Sequence, residues 1–150
     1  MRANPWLIPM GDEVWFYYCG TGGTHVPGHR DRARNGLFRA SLRRDGFVSA
    51  DTGYGGGTFT TPPLRFDGNR LELNLDGSAG GWLKVEIQDD GGHPLAGYGL
   101  GEADTVLGNA VCKTVTWKGQ DDLGELVGRT VKLRVVMRDM KLYAFQFPRQ

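Results

Sequence analysis

The sequence predicts an all-β protein: an antiparallel β-sandwich, jelly-roll or concanavalin-like, with an N-terminal β-hairpin appendage. Three observations carry that expectation. Apolar residues recur at every second position in several short runs, the period of a strand with one face on a core. Twenty-four glycines are scattered between those runs, where they reach the positive φ values that tight turns need. No stretch shows sustained helical periodicity.

The elements follow in order. Glu13 to Cys19 and Asn35 to Leu42 are strongly β-prone. A polar, glycine-rich loop from Gly20 to Arg34 separates them, and Asp45-Gly46 marks a hairpin-type turn leading to Phe47-Val48-Ser49. Two strands and a loop cannot bury their own faces. Residues 1–50 are therefore read as an appendage whose open edges invite pairing with a second copy.

Residues 51–150 are read as the sandwich domain. Thr58 to Thr61 is a short strand stopped by Pro62-Pro63, which lack ladder donors. Arg70 to Asp76 turns Leu71, Leu73 and Leu75 inward, and Trp82 to Gln88 does the same with Leu83, Val85 and Ile87. Asp89-Asp90-Gly91-Gly92 is a turn. Val111 to Trp117, Thr130 to Met137 and Met140 to Phe147 complete the strands, with one helical turn at Leu123 to Val127. The last strand is expected to put Tyr143, Phe145 and Phe147 on the core and Leu142 on the other face.

Composition narrows the function classes. A chain of 150 residues supports one good core. Its net charge of +1 makes the whole molecule no magnet for nucleic acid. It has no apolar run of about eighteen residues, so no membrane partner is expected, and no leader-like order of residues opens it. Cys19 and Cys112 lie in apolar, strand-like runs and are read as buried thiols, with a disulfide between them left open.

The ordered set Arg43 to Ser49, Leu71 to Asp76, Gly81 to Gly91, Val115 to Gly119, Leu123 to Gly128 and Leu142 to Phe147 resembles the tail region of bacterial proteins related to β-propeller glycosidases. Those proteins are similar to family 32 and 43 glycoside hydrolases, in which a five-bladed propeller precedes a β-sandwich. The resemblance implies that Trp15 to Leu42 is the end of a last blade, and it implies a carbohydrate context. The propeller positions that supply such enzymes' catalytic acids have no counterpart in this chain. No catalytic residue is carried over.

Chemistry constrains the candidate sites. Glycoside hydrolysis needs two carboxyl groups about 5–10 Å apart. Asp89 with Asp90, Glu102 with Asp104, and Asp121 with Asp122 all sit in glycine-rich turns, where aspartate bonds local backbone. Glu102, Asp104 and Asn109 share one loop and form a candidate structural Ca2+ site, the one cofactor the sequence suggests. His25 and His29 are interrupted by Pro27 and Gly28 and lack the helical spacing of a zinc site, and His93 reads as solvated. From His29 to Arg44 six arginines (Arg30, Arg32, Arg34, Arg39, Arg43 and Arg44) face one acid, Asp31, a local charge of +5 that is a candidate polyanion patch.

Neutral sugars are bound by aromatic faces. Trp82 falls out of phase with its apolar neighbours and is expected to point outward, Tyr98 lies in a Gly-Tyr-Gly loop, and Trp117 is in phase with the core. The candidate ligand-binding residues are thus Trp82, Tyr98, Glu102 and Asp104. The leading reading is a non-catalytic accessory module of a carbohydrate-active protein, structural or weakly glycan-binding. A small glycosidase-like enzyme using loop carboxylates, and a polyanion-binding module using Arg30 to Arg44, are the alternatives. Expected partners are carbohydrate and a second copy of the chain, with neither nucleic acid nor membrane.

Overall fold

A computed structural model of the chain describes residues 2–3, 6–20 and 36–149. It is all-β, with antiparallel sheets and no α-helix among the described residues. Two compact units form, Met1–Phe47 and Val48–Gln150.

The first unit is one sheet. Strand β3 (Glu13–Gly20) pairs along its whole length with β4 (Gly36–Arg43), from Glu13↔Arg43 to Gly20↔Gly36. Its other edge is shared by β1 (Arg2–Ala3) and β2 (Ile8–Met10), two short strands not anticipated from sequence. Among its described residues only Val14 is a buried hydrophobic. The Asp45-Gly46 turn is present, closed by Gly46 N–H donating to Arg43 O at 2.9 Å, with Asp45 at φ 54°. The strand expected after it is not: residues 47–49 join no ladder, and Phe47 and Val48 are exposed.

The second unit carries the main core. Its sheet runs β5–β9–β7–β8, with β6 also on β9: β5 (Ala50–Thr52), β6 (Gly57–Thr60), β7 (Glu72–Gln88), β8 (Asn109–Thr114) and β9 (Lys132–Gln146). One face turns Leu73, Leu75, Leu83, Val85, Ile87, Leu133, Val135 and Met137 inward. Phe66, Leu71, Val115, Trp117, Leu123 and Leu126, from the segments between strands, cover that face. The expected helical turn is a 3-10 turn, Gly124–Leu126. Trp117 is a core residue, and its indole N–H donates to Val85 O at 2.9 Å. Each such fully buried side chain contributes roughly 1.5–3 kcal/mol relative to exposure.

Two expectations are corrected. The strands expected over 70–76 and 82–88 are one long strand, β7, and those over 130–137 and 140–147 are one long strand, β9. Register shifts interrupt their pairing at Asn74/Leu75 and at Gly77/Trp82. Across the Gly77/Trp82 shift the inward phase of β9 passes from Met137 to Met140 and Leu142. Leu142 is therefore buried and Tyr143 only half-buried, while Phe145, past the second shift and opposite the buried Leu73, is 39% exposed. Phe147 does pack on the core, stacked on Phe66 at 4.0 Å. The cysteines are the second correction. Cys19 and Cys112 are exposed rather than buried, because each occupies the outward phase of its strand, opposite to Val14 and Val115.

Candidate functional site

The interruption at Gly77/Trp82 sets up the most distinctive surface of the second unit. Residues 78–81 of β7 lie opposite the single Asp139 of β9, which takes φ 51°. Ser78 Oγ donates to Asp139 Oδ2, and Gly80 N–H donates back to Ser78 Oγ at 3.2 Å. A Cβ on Gly81 would sit 2.4 Å from Asp139 O, so only glycine allows the two backbones this close. Such irregularities re-aim side chains. Here the ladder resumes at Trp82, which is half-buried on the outer face and directly opposite Arg138.

Register builds the surroundings of Trp82. Lys84 faces Val136, which faces Thr58 on β6. Next along, Glu86 faces Arg134, which faces Thr60. The bridge between Leu83 and Val106 brings Thr105 and Leu107 alongside the other flank. Trp82 thus separates two open clefts. One, of about 390 Å3, is lined by Ala79, Gly80, Gly81, Trp82, Lys84, Thr105 and Leu107. The other, of about 350 Å3, runs from Gly55–Thr58 past Trp82 to Arg134, Val136 and Arg138. Tyr54, 70% exposed, lies under the Arg138 guanidinium, 4.6 Å from carbon to ring centre. This cation–π contact holds the guanidinium in place.

The acids near this face already have partners. Glu86 is buried and accepts from Leu100 N–H at 3.1 Å and from Gln88 Nε2 at 2.8 Å, with Arg134 at 3.5 Å. Lys84 Nζ donates to Leu100 O at 3.3 Å, which ties the same loop to the sheet. Asp104 Oδ2 accepts from Thr116 Oγ1 at 2.6 Å and Gly119 N–H at 2.7 Å. Those bonds, the Thr116 bond foremost, hold its carboxyl below the usual range, and the charge of Lys84 adds to them.

The other sequence candidates fall elsewhere. Tyr98 packs edge-on against Trp117 at 5.3 Å, and its hydroxyl donates to Glu125 Oε1 at 3.0 Å. Burial of the ring, then that bond, push its pKa up to about 12. Glu102 lies 3.6 Å from Lys118 Nζ. Asn109 opens β8 opposite Asp76. Among the described residues no group of three or more His, Cys, Asp or Glu is gathered to hold a metal. His93 pairs with Asp89, whose Oδ1 accepts its backbone N–H at 2.9 Å. Asp122 Oδ1 accepts Gly124 N–H at 2.9 Å. Both aspartates therefore carry out turn chemistry.

Of the arginine patch, Arg30, Arg32 and Arg34 lie outside the described residues, as do His25 and His29. Arg39 stacks over Trp15 at 3.9 Å. No helix among the described residues is long and apolar enough to cross a membrane. Compared with protein-family models, curated proteins and solved structures, the chain matches none.

Sequence reasoning found Trp82 and missed Tyr54, Arg134 and Arg138. The signal was present in both places. Tyr54 sits in Gly53-Tyr54-Gly55, the same context that drew attention to Tyr98. Arg134, Val136 and Arg138 alternate with the inward Leu133, Val135 and Met137. Only the register shows that they share a face with Trp82.

Proposed function

We propose that this chain is a non-catalytic accessory module of a carbohydrate-active protein, and that it binds glycan on the outer face of its second unit through Trp82. One observation carries the reading: a tryptophan lifted by a glycine bulge onto an open sheet face, with a cleft on each side. An indole face in such a setting stacks on the apolar C–H face of a pyranose, and the clefts leave room for neighbouring rings. On this reading the sandwich is of jelly-roll type. Residues 1–50 are a hairpin appendage left from a propeller blade, and the relationship is to the family 32 and 43 glycoside hydrolases.

The carboxylates support a binding role over a hydrolytic one. A general acid needs a raised pKa, whereas Asp104 is held low by Thr116 and Gly119. Glycan-array screening of the purified chain tests the proposal. Retention on at least one saccharide, lost in Trp82→Ala, is expected, together with background turnover of aryl glycosides. No retention on any saccharide, or turnover abolished by Glu102→Gln or Asp104→Asn, would overturn it.

A further inference from the structure

Resting on the glycan-binding reading, we infer that the Trp82 face selects acidic saccharides, with Arg138 receiving the carboxylate of a uronic-acid unit beside the ring stacked on Trp82.

The charge of the face points there. Among the described residues, the two clefts flanking Trp82 are lined by Lys84, Arg134 and Arg138 and by no carboxylate. Like charges gathered on one low-dielectric surface repel, and an anion relieves that repulsion. The acids close by are occupied: Glu86 by Arg134, Leu100 and Gln88, Asp104 by Thr116 and Gly119, and Asp139 by Ser78. Arg134 is matched by Glu86. Arg138 has no ion pair among the described residues, and its Nε–H is buried without a hydrogen-bond partner.

Geometry makes Arg138 the recognising group. It is the cross-strand partner of Trp82, and directly opposed side chains lie about 5 Å apart at Cβ. Both side chains line the same cleft, so a saccharide ring stacked on Trp82 leaves the carboxylate of the adjoining uronate unit within reach of the guanidinium. The Tyr54 ring beneath the guanidinium fixes its plane. A fixed guanidinium offers a planar fork to a planar carboxylate, and such charge-assisted bidentate pairs are strong and directional. Exposed Leu107, on the far flank of Trp82, extends the apolar floor.

The test is calorimetric titration of the full chain with three ligands of equal length: an oligogalacturonate, the neutral oligogalactoside and a sulfated oligogalactoside. The expected result is tightest binding to the oligogalacturonate, weakening as salt rises. Trp82→Ala should lower every affinity at least about tenfold. Arg138→Gln should lower the uronate affinity by about tenfold or more and leave the neutral affinity unchanged, and Arg138→Lys should recover part of the loss because charge remains while the fork is lost. Thermal unfolding checks that the variants fold, and Arg138→Lys carries the test should Arg138→Gln fail to do so. Equal affinity for the neutral and acidic oligomers, or full uronate affinity in a folded Arg138 variant, overturns the acidic selectivity while leaving glycan binding standing. Tighter binding of the sulfated ligand overturns the carboxylate assignment. No binding to any of the three, or binding indifferent to Trp82→Ala, overturns both this inference and the reading beneath it.

Discussion

Tyr98 and Trp82 look alike in sequence, aromatic residues beside glycines, yet they differ in what meets their polar and apolar parts. Tyr98 closes the edge of the core against Trp117 and gives its hydroxyl to Glu125. Folding raises its pKa to about 12. The stability linked to this group is therefore complete below its ordinary value near 10 and is lost as pH rises through 12. An alkaline titration followed by phenolate absorbance should show a last step near pH 12 that vanishes in Tyr98→Phe. Persistence of that step in the variant would assign it to another tyrosine.

At the scale of elements, the bulge between Gly77 and Trp82 decides most. It lets β7 and β9 pair on both sides of residues 78–81 while changing which residues of β9 face inward. Alternation alone reads Leu83, Val85 and Ile87 correctly, since β7 resumes in the same phase. It misreads the end of β9, where the irregularity at Asp139, with its positive φ, brings Met140 and Leu142 inward. Gly81→Ala should press a methyl against Asp139 O, at 2.4 Å on the unrelaxed backbone. We expect a loss of about 1–3 kcal/mol in chemical denaturation, with saccharide affinity falling because Trp82 is displaced. Unchanged stability and affinity in that variant would mean that the bulge plays no part in placing Trp82.

At the scale of the whole molecule, the two units differ in how much they bury. The second has a continuous core from Phe66 to Leu142, while the described part of the first has Val14 alone. A fragment beginning at Val48 should therefore unfold cooperatively, with a thermal midpoint within about 5 °C of the full chain, a shift equivalent to roughly 1 kcal/mol for a domain of this size. Loss of cooperative unfolding in the fragment would show that residues before Val48 complete the core.

What the sequence determined by itself was local and periodic. The all-β class, the inward Leu71 to Leu75 and Leu83 to Ile87 ladders, the burial of Trp117 and the turn chemistry of Asp89 and Asp122 follow from side-chain alternation and from backbone bonding within a few residues. Tertiary structure alone decided the rest. The union of four expected strands into β7 and β9, the exposure of Cys19 and Cys112, and the meeting of Tyr54, Trp82 and Arg138 all depend on cross-strand register. Tyr54 and Arg138 lie more than eighty residues apart in the chain, and a pairing at that distance leaves no mark in any short window of sequence. A single residue inserted on one strand is enough to exchange the two faces of everything beyond it.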